Sequence, residues 1–122
     1  KRNRKIAALT DEALPPRFVG PRSYKTMVVG WGSTYNAMHE ALGRSGRDDI
    51  GLLHFSQVYP VSPAAKEWLE KATLRVIVEN NASGQFGTLL TQMTGLPFHR
   101  RVLKYNGMPF SVEELTTLFA NL

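Results

Sequence analysis

"VVGWGSTYNAMHEAL", residues Val28–Leu42, decides how this chain folds. An apolar run, "TMVVG" (Thr26–Gly30), stops at a turn of glycines and hydroxyls. A helical pattern follows at once, with Tyr35, Met38, Ala41 and Leu42 near helical spacing. A short apolar run bounded by turn residues reads as a strand buried on both faces. The same unit recurs downstream. "IGLLHF" (Ile50–Phe55) is a second strand, and Ser62-Pro63 supply an N-cap and a first-turn proline for a helix carrying Trp68, Leu69 and Ala72. "LRVIVE" (Leu74–Glu79) is a third strand. The helix after it shows Phe86, Leu89, Leu90 and Met93 at i, i+3, i+4 and i+7, a stripe expected to be buried, and Gly95 and Pro97 end it. "HRRVLKY" (His99–Tyr105) is a more exposed strand. A capping box, Ser111-x-x-Glu114, opens a last helix with Leu115, Leu118, Phe119 and Leu122 on one face. An edge strand is expected near Arg17–Val19. Strands alternating with helices predict an α/β fold, a mostly parallel sheet covered on both faces.

Length and composition bound the rest. The 122 residues suit one domain with a single core. Hydrophobic residues make up 43% and charged residues 20%, ordinary values for a globular chain. No apolar run approaches the roughly 20 residues that span a bilayer, so no membrane partner is expected. Cysteine is absent, which excludes disulfides, thiolate zinc sites, cysteine-held iron–sulfur clusters and a cysteine nucleophile within this chain. That usage fits a reducing cytoplasm, the expected location. The net charge of +5 is concentrated in residues 1–25, and the remainder balances. This distribution describes a solvated N-terminal arm rather than a face for nucleic acid. "KRNRKIAALTDEAL" reads as a short helix stopped by Pro15-Pro16, so residues 1–16 are expected to be a linker helix from an upstream domain and 17–122 the α/β domain. The start at Lys1 rather than Met fits a piece of a longer polypeptide.

Two strand-to-helix turns carry the candidate chemistry. In the first, Gly32, Ser33 and Thr34 offer free N–H groups and hydroxyls to an anion, although Ser or Thr there is also an ordinary N-cap. A dinucleotide site needs G-x-G-x-x-G/A and an acidic residue near the end of the second strand. Here the sixth position is Tyr35, and the strand end reads His54-Phe55-Ser56-Gln57, so both requirements fail. A Walker loop needs G-K-[ST], which is absent. In the second turn, "VENNASGQFGTLL", Asn80, Asn81, Ser83 and Gln85 are placed to bond a ligand or partner, with Ser83 as the alternative N-cap. Glu79 ends its strand with no identifiable partner. His39, His54 and His99 lack metal-pair spacing, and His54 reads as a satisfied buried or half-buried residue. Tyr59-Pro60 reads as cover for the sheet.

Four blocks, "VVGWGST", "GLLHFSQVYP", "VIVENNASGQ" and "LKYNGMPFSVEEL", together resemble the C-terminal domain of the alpha subunit of 2-oxoacid:ferredoxin oxidoreductases, in the same order and at similar spacing. The resemblance covers about residues 15–118. It implies a transketolase C-terminal-like fold, a three-layer α/β/α sandwich with a five-stranded sheet in the order 1-3-2-4-5 and strand 1 antiparallel. It also implies a complex that oxidatively decarboxylates a 2-oxoacid to an acyl-CoA, with ferredoxin as electron acceptor. The implied complex uses thiamine diphosphate, Mg2+, an iron–sulfur cluster and coenzyme A, none held by this segment, and no catalytic or metal residue carries over to it. The expected partners are an upstream domain of the same polypeptide, a beta subunit and, through the complex, ferredoxin. In that topology "GWGST" and "ENNASGQ" become two lips of one crevice, making Gly32, Ser33, Thr34, Asn80, Asn81, Ser83 and Gln85 the candidate crevice or subunit contact. The alternative is a free-standing flavodoxin-like module holding a phosphate or flavin at Ser33 and Thr34.

Overall fold

The computed structural model describes residues 15–56, 62–79, 85–104 and 110–122. The proposed linker helix up to residue 14, Tyr59-Pro60, and Asn80, Asn81 and Ser83 therefore lie outside the described residues, as does all of "YNGMP". Five strands form one sheet: β1 (Arg17–Val19), β2 (Thr26–Trp31), β3 (Ile50–Phe55), β4 (Leu74–Glu79) and β5 (Arg100–Leu103). Their spatial order is β1-β3-β2-β4-β5. The pairs β2–β3, β2–β4 and β4–β5 are parallel, and only β1 runs antiparallel, with Arg17 opposite His54. This is the order and polarity that the resemblance implied.

Burial explains the continuous apolar runs. All six residues of β3 are buried, as are the first five of β2. Because side chains alternate across a strand, each run feeds two cores at once. Met27, Val29, Leu53, Phe55 and Ile77 face α2 (Ala64–Glu70) and α3 (Gln85–Thr94). Val28, Ile50, Leu52, Val76 and Val78 face α1 (Tyr35–Arg44) and α4 (Val112–Ala120). The capping box of α4 is formed: the Ser111 hydroxyl accepts from the Glu114 N–H at 3.0 Å, and Glu114 accepts from the Ser111 N–H at 3.2 Å. Phe18 of β1 stacks on Trp68 of α2 at 4.4 Å between ring centroids, tying the edge strand to that helix.

One helix sits in a different rotation from the one its spacing predicts. α3 buries Phe86, Gly87, Leu90 and Thr94, whereas Met93 is 51% exposed. The cause is Gly87. A Cβ there would lie 3.3 Å from both the Glu79 carboxylate and Ile77, so the bare glycine lets the helix approach β4 along the 87–90–94 line. Met93 is turned outward as a result.

Candidate functional site

The carboxyl ends of β2, β3 and β4 meet at one edge of the sheet, where the turn after Trp31 separates two flanks. Gly32 has φ +71°, a left-handed conformation that favours glycine, and it starts a single 3-10 turn, Gly32–Thr34, that runs directly into α1. Gly30 lets α1 lie close: a Cβ on it would fall 2.3 Å from the Met38 sulfur. Thr34 does not cap the helix as its position suggested. Its buried hydroxyl donates back to the Trp31 carbonyl at 3.1 Å. The 3-10 turn already holds Thr34 in helical geometry, with φ −78° and ψ −6°, away from the extended backbone an N-cap needs. Gly32 is exposed, and the Ser33 side chain lies outside the described residues.

On the β4 flank, Glu79 is only 1% exposed, and the sequence reading that gave it no partner is corrected. Its carboxylate accepts from the Phe86 N–H and the Gly87 N–H, each at 3.0 Å, and from the Trp31 indole N–H at 3.3 Å. Two of these donors are backbone groups in the first turn of α3, invisible in a residue pattern. A carboxylate there fills orphan N–H groups and complements the positive end of the helix, which makes its burial tolerable. Glu79 thus satisfies the first turn of α3, and it joins the strand ends on both sides of the switch in strand order. A hollow of about 180 Å³ lies beside this clamp, lined by Trp31, Gln85, Phe86 and Leu89. Gln85 is exposed at its rim.

On the β3 flank the chemistry is different. His54 is 8% exposed, and its Nε2 lies 2.8 Å from the Gly32 carbonyl. A carbonyl only accepts, so Nε2 carries the proton. Burial holds the imidazole below its ordinary pKa, the bond to Gly32 opposes this, and the Arg17 charge adds to the lowering. The Tyr35 ring packs edge-on to His54 at 5.0 Å, and the Arg17 guanidinium sits 5.0 Å over the same tyrosine ring. Pro15, Arg17, Tyr35, His54 and Ser56 line a cavity of about 330 Å³. The motif reading missed this group, because the antiparallel register of β1 on β3 is what puts Arg17 opposite His54. The described residues contain no group of three or more potential metal-ligating side chains, and no helix among them is long and apolar enough to cross a membrane.

Layering, strand order and the single antiparallel edge strand define the molecule as a three-layer α/β/α domain with its switch in strand order between β2 and β4. Its known relatives narrow that class. In sequence the chain is similar to subunit alpha of 2-oxoacid:ferredoxin oxidoreductase 1 from Aeropyrum pernix, 26% identical over 125 residues that cover 94% of this chain and 19% of the relative. In fold it is similar to 2-oxoglutarate:ferredoxin oxidoreductase from Magnetococcus marinus, solved with 2-oxoglutarate, coenzyme A and succinyl-CoA bound. That match has a TM-score of 0.84 at 19% identity and covers 98% of this chain and 22% of the other. The alpha chain of a probable 2-oxoacid ferredoxin oxidoreductase from Thermoplasma acidophilum aligns with a TM-score of 0.56 at 24% identity, over 88% of this chain and 95% of that one. No protein-family model matches. The resemblance carried by the four sequence blocks therefore holds: the relatives this chain matches are 2-oxoacid:ferredoxin oxidoreductases, and those from Aeropyrum and Thermoplasma are alpha chains. The chain spans about a fifth of the length of the Aeropyrum relative.

Proposed function

We propose that this chain is the C-terminal scaffold and subunit-contact domain of a 2-oxoacid:ferredoxin oxidoreductase alpha chain. The observation that carries the reading is the end-to-end match, 94% of the chain in sequence and 98% in fold, to proteins of that one activity. The whole complex then converts a 2-oxoacid and coenzyme A to an acyl-CoA and passes the electrons to ferredoxin. Thiamine diphosphate, Mg2+ and the iron–sulfur cluster belong to other parts of that complex, and a beta subunit is the expected partner.

Within this reading Gly32, Ser33, Thr34, Asn80, Asn81, Ser83 and Gln85 form a contact edge rather than a reacting centre. Its support is the bond between Trp31 and Glu79, which links the two sequence blocks these residues belong to. The half-buried Trp31 and Leu89, with exposed Met93 further along α3, give that edge an apolar character suited to a protein partner. Hydrogen exchange on the parent polypeptide, free and assembled with its partner subunit, tests this. Assembly is expected to slow exchange in Trp31–Thr34 and at the start of α3, and unchanged exchange there contradicts the contact reading. The flavodoxin-like alternative predicts a tight flavin titration, which the inward-turned Thr34 hydroxyl argues against.

A further inference from the structure

We propose that the cavity between β1, the end of β3 and the start of α1 is a binding site for an oxyanion, a carboxylate or a phosphate. This site is separate from the contact edge and does not depend on it. Three observations carry it. The cavity, about 330 Å³, lies within the size range of small-molecule sites. Its described lining holds one full positive charge, on Arg17, and no carboxylate. Arg17 makes no ion pair with any described Asp or Glu, and its guanidinium lies over the Tyr35 ring. A guanidinium placed by a ring face keeps its N–H groups for an incoming anion, and its fork matches a carboxylate or phosphate.

The remaining lining residues suit the same ligand. Ser56 is exposed at the cavity and brings a hydroxyl donor. His54 is anchored through Nε2 to Gly32, which fixes its ring as one wall. Tyr35, held between Arg17 and His54, gives a flat wall for the organic body of a carboxylate. The neighbouring turn offers less to an anion. Thr34 has spent its hydroxyl on Trp31, and the start of α3 already holds the Glu79 carboxylate.

The test is a titration of the 122-residue chain with sodium benzoate and, separately, with inorganic phosphate, in a chloride buffer, followed by amide NMR. Saturable shifts at Tyr35, His54 and Ser56 are expected, with a dissociation constant of about 1 mM or tighter for the preferred probe. Stronger binding of benzoate identifies an organic carboxylate as the natural group, and stronger binding of phosphate identifies a phosphate. Arg17→Ala is expected to weaken binding at least about tenfold, the loss typical of a charge-assisted hydrogen bond. Gln85→Ala, on the opposite flank, is expected to leave it unchanged. Should Arg17→Ala fail to fold, Ser56→Ala at an exposed position serves instead, with binding weakened about threefold or more. Shifts that stay linear for both probes, or full binding by the Arg17 or Ser56 variant, overturn the proposal.

Discussion

The two flanks of the Trp31–Thr34 turn lie at the same edge of one sheet, yet they solve opposite problems. On the β4 flank a buried carboxylate is surrounded by donors: Phe86, Gly87 and Trp31 all give to Glu79. On the β3 flank a guanidinium rests on an aromatic ring and meets no carboxylate among the described residues. The first flank is internally satisfied and acts as a structural clamp beside an apolar hollow. The second keeps unused donor capacity. The carboxyl edge of a parallel sheet is a general place for ligands. Which part of it can take one depends on which donors the fold has already consumed.

The sharpest way to break this contrast is to remove the clamp. Glu79→Ala leaves two backbone N–H groups of α3 and the Trp31 indole without their acceptor. Stability is expected to fall by about 3 kcal/mol, read as a lower urea midpoint. An unchanged midpoint would remove the clamp from the account. The next largest effect is expected at the end of β2, just before the turn shared by both flanks. Gly30→Ala drives a methyl group into the Met38 sulfur, and overpacking of this kind costs about 2 kcal/mol in the same measurement.

A smaller effect belongs to the β3 flank and depends on pH. His54 has a native pKa below its ordinary value of 6.5, chiefly through burial, in surroundings that include Gly32, Tyr35 and Arg17. Well above that ordinary value both folded and unfolded chains are neutral at this residue, and it leaves stability unchanged. As pH falls below it, the unfolded chain takes up a proton first, so stability declines until the lowered native value is passed. The carboxyls of Asp49 and Glu114, held low by Arg47 and Lys104 respectively, weaken the fold only in more acid solution. Urea midpoints between about pH 7.5 and pH 5.5 are therefore expected to fall in the parent chain and to fall less in His54→Gln. Equal slopes would contradict the assignment. The smallest effect is expected at Met93. Met93→Ser should change the stability of the chain by less than about 0.5 kcal/mol, because the side chain is exposed.

The central strands were legible as continuous apolar runs bounded by turn residues, and the helices by the periodicity of their apolar faces. Thr26–Gly30, Ile50–Phe55 and Leu74–Glu79 are buried strands almost to the residue, and the Ser111–Glu114 box forms as its spacing predicts. The strand order followed from resemblance, since hydrophobic periodicity carries no information about which strands are neighbours. What stayed hidden depended on backbone donors or on register. Glu79 looked unpartnered because its acceptor role is played against N–H groups that every residue possesses. Met93 looked buried because the spacing alone could not show that Gly87 draws the helix inward. Arg17, Tyr35, His54 and Ser56 share no local motif; the antiparallel pairing of Arg17 with His54 and the position of Tyr35 at the start of α1 bring them to one cavity.

On the proposed reading, this chain supports a 2-oxoacid oxidoreductase whose reacting centre lies in other parts of the complex. Ferredoxin reduction measured with a 2-oxoacid, coenzyme A, thiamine diphosphate and Mg2+ tests it most directly. The parent polypeptide assembled with its partner subunit is expected to reduce ferredoxin, and the 122-residue chain alone is expected to give none. Reduction by the isolated chain, or an inactive assembled parent across pyruvate, 2-oxoglutarate and branched-chain 2-oxoacids, would contradict the account.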